Sequence, residues 1–202
     1  MTIDKIKKQS ITIIVICIAI VAIATALFFV WGNSLNFKRD MTTAPGKYTE
    51  YLGQNGKYIE QFGGGKEIFP ARIPATSTHS EFYFEYYEPQ KANYFGYLVY
   101  ECSQSEYEEE KARLKSLAST EEPTVYGIGE FRFDVAAIYA TDTNVVYALL
   151  YENTHRIIYV GLSFTEYFTD IAYKNVVNSL YLPDGFDATP NNPYYKEKNN
   201  IE

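Results

Sequence analysis

One segment constrains this chain more than any other: ITIIVICIAIVAIATALFFVW, residues 11–31, holds 21 residues without a charge. A helix of about 20 apolar residues, rising 1.5 Å per residue, crosses the ~30 Å hydrocarbon core of a bilayer. The run therefore predicts one transmembrane helix. Thr12 and Thr25 are its only hydroxyls, and both can bond back to the helix. Trp31 stands at its outer end, where interfacial aromatic residues gather. Lys5, Lys7 and Lys8 precede it more closely than Lys38 and Arg39 follow it. The positive-inside rule then leaves residues 1–10 in the cytoplasm and everything after the span extracytoplasmic. The competing reading is a cleaved signal peptide with Ala24-Thr25-Ala26 as the cleavage site. Its apolar region should span only about 7–15 residues, and this one continues through Leu27, Phe28, Phe29 and Val30. Cys17 is preceded by Ile16 where a lipoprotein signal needs a small residue. The expected location is the cell membrane, with a single pass.

Charge and cysteine content narrow the function classes. The chain nets −7, residues 1–10 carry +2, and the part beyond the span therefore carries −9. Nucleic acid is excluded as a partner by that balance, since binding it needs a basic footprint. The two cysteines, Cys17 in the span and Cys102 beyond it, cannot pair. No disulfide framework holds the domain. It is rich in aromatic residues, 20 Tyr and 13 Phe in the whole chain, as folded chains are and disordered chains are not.

The periodicities predict an α+β domain over residues 68–183. Residues 32–67 read as stalk and linker, and within them residues 48–67 admit either a hairpin about Asn55-Gly56 or a short helix and loop. Phe69-Pro70 and Ile73-Pro74 make an extended entry, because proline biases its predecessor away from the helix. Residues 81–88 alternate, with Phe82, Phe84 and Tyr86 on one face and Glu81, Tyr83, Glu85 and Tyr87 on the other. Residues 94–102 supply the hairpin partner. Ser103 or Ser105, with Glu106 or Glu108 three residues on, can box the start of a helix that ends before Pro123. Strands follow at 131–140, 145–151 and 156–163, and a last helix at about 169–181. The order β-β-α-β-β-β-α implies an antiparallel sheet of about five strands with two packed helices. Residues 184–202 read as a disordered tail.

The run Ile68-Phe69-Pro70-x-x-Ile73-Pro74, followed by an aromatic strand, a hairpin and an acidic-start helix, resembles uncharacterised membrane-tethered domains of Gram-positive bacteria. The resemblance covers residues 68–182, rests on structural motifs, and carries over no catalytic residue.

Chemistry is hard to find. The only histidines, His79 and His155, lack metal-ligand spacing. Asp142 and Asn144 are too few for a calcium loop and suit a turn. Gly63-Gly64-Gly65-Lys66 lacks the spacing and the Ser/Thr of a phosphate loop and reads as a flexible loop. Cys102 ends a strand without a histidine partner and reads as inert. Glu108, Glu109 and Glu110 point around their helix. Glu81, Tyr83, Glu85 and Tyr87 remain as a possible ligand face, since tyrosines beside carboxylates can stack on sugars and bond hydroxyls. The chain is thus expected to be a membrane-anchored extracytoplasmic interaction module, without enzymatic activity or cofactor, whose partner is an envelope protein. A glycan-binding module is the alternative, and a hydrolase a more distant one.

Overall fold

The computed structural model describes residues 16–28, 38–89, 91–121, 129–163 and 168–201. It falls into two units, residues 1–37 and 38–202. In the first, residues 16–28 form helix α1. The hydroxyl of Thr25 donates to the carbonyl of Val21 at 2.7 Å, the back-bond expected of it. Among the described residues no helix is long and apolar enough to cross a membrane. The 13 residues of α1 span about 20 Å. Residues 11–15 and 29–31 of the predicted span lie outside the described residues.

The second unit is α+β. Its six strands are β1 (Lys38–Thr42), β2 (Thr78–Glu88), β3 (Asn93–Glu101), β4 (Asp134–Thr141), β5 (Asn144–Tyr151) and β6 (Arg156–Ser163). They form one antiparallel sheet in the order β1-β2-β3-β6-β5-β4. Among the described residues the α-helices of this unit are α2 (Tyr48–Tyr51), α3 (Gln104–Lys115) and α4 (Pro193–Asn199). Alternate residues of each strand point to opposite faces, and both faces are covered. On one, Phe84, Leu98, Tyr100, Val146, Ala148 and Tyr159 meet residues 48–69 and the α3 residues Tyr107 and Leu114. On the other, Phe95, Val99, Tyr147, Leu149, Ile158 and Val160 meet residues 171–188. The continuous apolar runs of β5 and β6 follow from this double burial.

The sixth strand is β1, inside the segment expected to be stalk. Its sequence has no alternation, and its place is fixed across the ladder instead. Arg39 bridges Glu85 at 2.9 Å and Lys38 reaches Glu88 at 3.5 Å. On the face opposite Arg39, which Lys38 shares, Asp40 accepts from Tyr51 (2.8 Å), Tyr58 (2.7 Å) and Lys57 (2.9 Å). Burial would raise the Asp40 carboxyl, but the bonds from Lys57, Tyr58 and Tyr51 outweigh it and hold the group at about 2, below the usual 3.8. A depressed carboxyl stabilises the fold fully above its unfolded value and loses that contribution as pH falls through its folded one. Urea midpoints should therefore fall between pH 3.8 and about 2, and Asp40→Asn should flatten that slope.

The folded unit thus starts at Lys38, not Ile68. Residues 48–68 take the helix-and-turn alternative: α2 is followed by 3-10 turns at Ile59–Ile68. Leu52, Tyr58, Ile59, Phe62 and Phe69 bury themselves there, an apolar load that a solvated stalk would leave in water. The glycine stretch is packed as well. Gly63 turns at φ 57°, and a Cβ on Gly64 or Gly65 would stand 2.8 Å from Tyr139 or Val146. A close approach of the same kind occurs at the sheet's centre, where Gly96 and Gly161 pair across β3 and β6. A Cβ on Gly161 would meet Phe69 at 2.7 Å and Phe62 at 2.9 Å, and one on Gly96 would meet Leu52 at 2.9 Å. The two glycines open a slot that these side chains fill.

The C-terminal expectations also change. No helix spans 169–181. Two single 3-10 turns, Tyr173–Asn175 and Ser179–Tyr181, replace it. Asn178 caps the second turn by accepting from Leu180 N at 3.0 Å, a bond that competes with helix. The segment lies flat on the sheet and buries Ile171, Tyr173, Val177 and Tyr181. The tail is ordered through residue 201. Thr169 N donates to Ala188 O at 2.9 Å, and Phe186, Ala188 and Asn192 are buried.

Candidate functional site

A hollow of about 680 Å³ lies between α3 and residues 70–76. Helix α3 is fixed first by its own sequence. Ser103 accepts from Glu106 N at 3.3 Å while Glu106 accepts from Ser103 N at 3.2 Å, closing the capping box. Arg113 and Lys115 occupy the last turn, where the helix dipole favours cations. Tyr107 and Leu114 face the core, which leaves Glu110 and Arg113 at the helix–sheet junction.

There they build a network. Glu110 accepts from Arg113 Nε (2.7 Å), from Arg113 Nη2 (2.5 Å) and from the Tyr159 hydroxyl (2.7 Å). The Tyr100 and Tyr159 hydroxyls are 3.0 Å apart. Tyr159 commits its proton to Glu110, so Tyr100 donates to Tyr159. Arg113 also donates to the carbonyls of Glu67 (2.6 Å) and Ile68 (2.9 Å). Burial alone would lower the guanidinium pKa, but Glu110 reverses that and holds it raised. Burial drives both phenols above their ordinary value, so they remain protonated at neutral pH. This network holds structure together and offers no free base to the hollow.

Residues 70–76 form the opposite wall, pinned at both ends. The Tyr48 hydroxyl donates to Pro70 O at 2.6 Å, and Gln54 N to Ala71 O at 3.1 Å. The Thr76 hydroxyl donates to Glu106 at 2.5 Å. Between the pins, the main chains of Arg72 and Ile73 make no hydrogen bond among the described residues. The exposed side chains of Arg72 and Glu109 face the hollow from opposite walls with no ion pair there. A second hollow of about 320 Å³ adjoins the first at Pro70, Ala71 and Arg113.

The expected ligand face is divided. Tyr83 and Glu85 are 6% and 4% exposed. The Tyr83 hydroxyl donates to Glu85, and Glu85 bridges Arg39 at 2.9 Å. Tyr83 also stacks on Tyr97, with 6.0 Å between ring centres. Tyr87 is half-buried and Glu81 exposed. The pair is covered because this face of β2 lies towards the second aromatic layer.

Other reactive groups are held in structural roles. The Cys102 thiol donates to His155 O at 3.6 Å, and burial, then Glu106 and Glu110, push it up to about 11. A thiol so placed is a poor nucleophile. His155 closes the β5–β6 turn at φ 51°. His79 lies 3.0 Å from Glu101, which Arg156 also bridges at 2.6 Å. Among the described residues no group of three His, Cys, Asp or Glu side chains could hold a metal.

Arg72 and Glu109 escape a reading of the sequence. They are 37 positions apart, and only the docking of α3 on Tyr100 and Tyr159 sets them across one hollow. The local signal was the pair of X-Pro steps, which keeps Phe69 and Ile73 out of the helical region on either side of a bend at Ala71 and Arg72. Comparison of the chain with protein families, with curated proteins and with solved structures finds no match.

Proposed function

We propose that this chain is a membrane-anchored, extracytoplasmic interaction module that captures an envelope protein through the groove beside α3 and catalyses no reaction. One observation carries the reading. Arg72 and Glu109 remain uncommitted on facing walls of the hollow beside α3, whereas the groups best suited to chemistry are tied into the fold. Anchoring is supported by the uncharged run and by α1. Ile16, Ile18, Ile20, Val21, Ile23 and Leu27 are each more than half exposed on that helix. A helix apolar on all sides needs a lipid or protein surrounding.

The test is photo-crosslinking in cells from positions 72 and 109, with Lys115, exposed at the far end of α3, as control. A discrete protein adduct from 72 and 109, at least fivefold above the yield at 115, is expected. Equal yields at all three positions would remove the groove from the proposal. The glycan alternative now depends on Tyr87 and Glu81, and sugar adducts from position 87 alone would favour it.

A further inference from the structure

We infer that Ser119 and Thr120 form a strap that guards the β4 edge, and that without their hydroxyls β4 pairs with β4 of a second copy of this chain. An open sheet has two edges, each a row of main-chain groups able to pair with another strand. Here the edges are β1 and β4, and they are protected differently. β1 is five residues long and carries Lys38, Arg39 and Asp40, and charge of that density keeps other strands off an edge. β4 has no charge from Val135 to Thr141, and Val135 is an exposed apolar residue on it. Its protection comes from the chain that leaves α3. Ser119 Oγ accepts from Ile138 N at 3.3 Å, and Thr120 Oγ1 accepts from Ala140 N at 3.0 Å. Thr120 N donates to Ile138 O at 2.9 Å. In an antiparallel pair alternate residues exchange bonds with the neighbour, and the residues between them point their main-chain groups away. Ile138 and Ala140 are two positions apart, and all three bonds go to this outward set. Two hydroxyls and one amide stand where a seventh strand would stand.

The use of side chains matters. A strand added here would satisfy β4 and present a fresh edge of its own. Hydroxyl acceptors satisfy β4 and end the sheet. The strap is held in place by what precedes it: Leu117 N donates to Leu114 O at 3.1 Å, and the Leu117 side chain packs on the core that Leu114 enters. The strand it excludes is a second β4, and the register is set by the outward residues. About a two-fold axis at Tyr139, Ile138 of each copy stands opposite Ala140 of the other. Both outward residues then meet a bonded partner, and a large side chain faces a small one. Asp142 falls opposite Ala136 and not opposite another carboxylate. A pairing of this kind closes on itself and stops at two copies.

The test compares the full chain in detergent micelles with a Ser119→Ala, Thr120→Val variant, which removes both acceptors at little change in volume. Amide exchange at Ile138 and Ala140 should quicken at least tenfold in the dilute variant. Raising its concentration should slow the same two amides again, as a two-copy species appears in sedimentation at least tenfold below the concentration the parent needs. Ser119→Thr with Thr120→Ser keeps both hydroxyls and should match the parent in both measurements. Ser119→Ala alone should free Ile138 and leave Ala140 protected, which reads the strap even if the double variant is damaged. Exchange at the two amides unchanged from the parent would show that the hydroxyls do not hold the edge. Fast exchange at every concentration, in a variant that sediments as single copies, would show that the bared edge takes no second β4. Either result overturns the inference.

Discussion

Gly161→Val should lower the unfolding free energy by about 3 kcal/mol, the upper range for overpacking a filled core. At this chain length that corresponds to a fall of about 10 °C in thermal midpoint. The cause is geometric. Even a methyl on Gly161 would sit 2.7 Å from the Phe69 ring and 2.9 Å from Phe62, inside any tolerable contact. Neither ring can retreat easily, because Phe69 is also ring-stacked on Tyr159, 6.4 Å away, and both are buried. Gly46→Ala is the matched control, since nothing lies within 4 Å of the added carbon there. Denaturation of the full chain in micelles measures both. A Gly161→Val variant within 1 kcal/mol of the parent would mean that the slot between β3 and β6 is not filled as described.

Glu110→Leu is the second large effect, at about 2–3 kcal/mol. Breaking a buried ion pair from one side costs about 3–5 kcal/mol, because the remaining charge stays desolvated without its partner. The Arg113 side chain is 36% exposed and Glu110 16%, so water recovers part of that cost. The same substitution strips the Tyr159 hydroxyl of its acceptor. Leucine at both 110 and 113 should be less damaging than the sum of the single changes, since no charge is then stranded. A double-mutant cycle that returns a coupling below about 0.5 kcal/mol would show the pair to be independent.

The strands and α3 were legible in the sequence because their signals are local. Phe82, Phe84 and Tyr86 alternate, β5 and β6 are β-branched runs, and Ser103 with Glu106 spells a cap. β1 was not legible, since Lys-Arg-Asp-Met-Thr becomes a strand only through Glu85, Glu88 and the Asp40 cluster supplied from elsewhere. The apolar positions of 172–180 do follow a helical period. They serve equally well as contacts of a flat segment, and Asn178 and the paired valines decide against the helix. The candidate site was less legible still. Tyr83 and Glu85 were chosen for chemical type, and burial is a property of the partner layer. The groove depends on where α3 comes to rest, which no window of sequence contains.

The strand order has a consequence for how the chain is made. β1, β2 and β3 form one set of neighbours, β4, β5 and β6 another, and the ladder between β3 and β6 is the one seam joining them. During synthesis the first set emerges with the whole hydrogen-bonding edge of β3 bare. It stays bare until Arg156–Ser163 has cleared the ribosome, some sixty residues later. Tyr94, Phe95, Leu98 and Val99 lie along that edge, a stretch able to template aggregation while it waits. A chaperone that shields nascent strands would be needed at that seam more than anywhere else in the polypeptide, and arrest of translation between residues 101 and 156 should yield the most aggregation-prone fragment the sequence can produce.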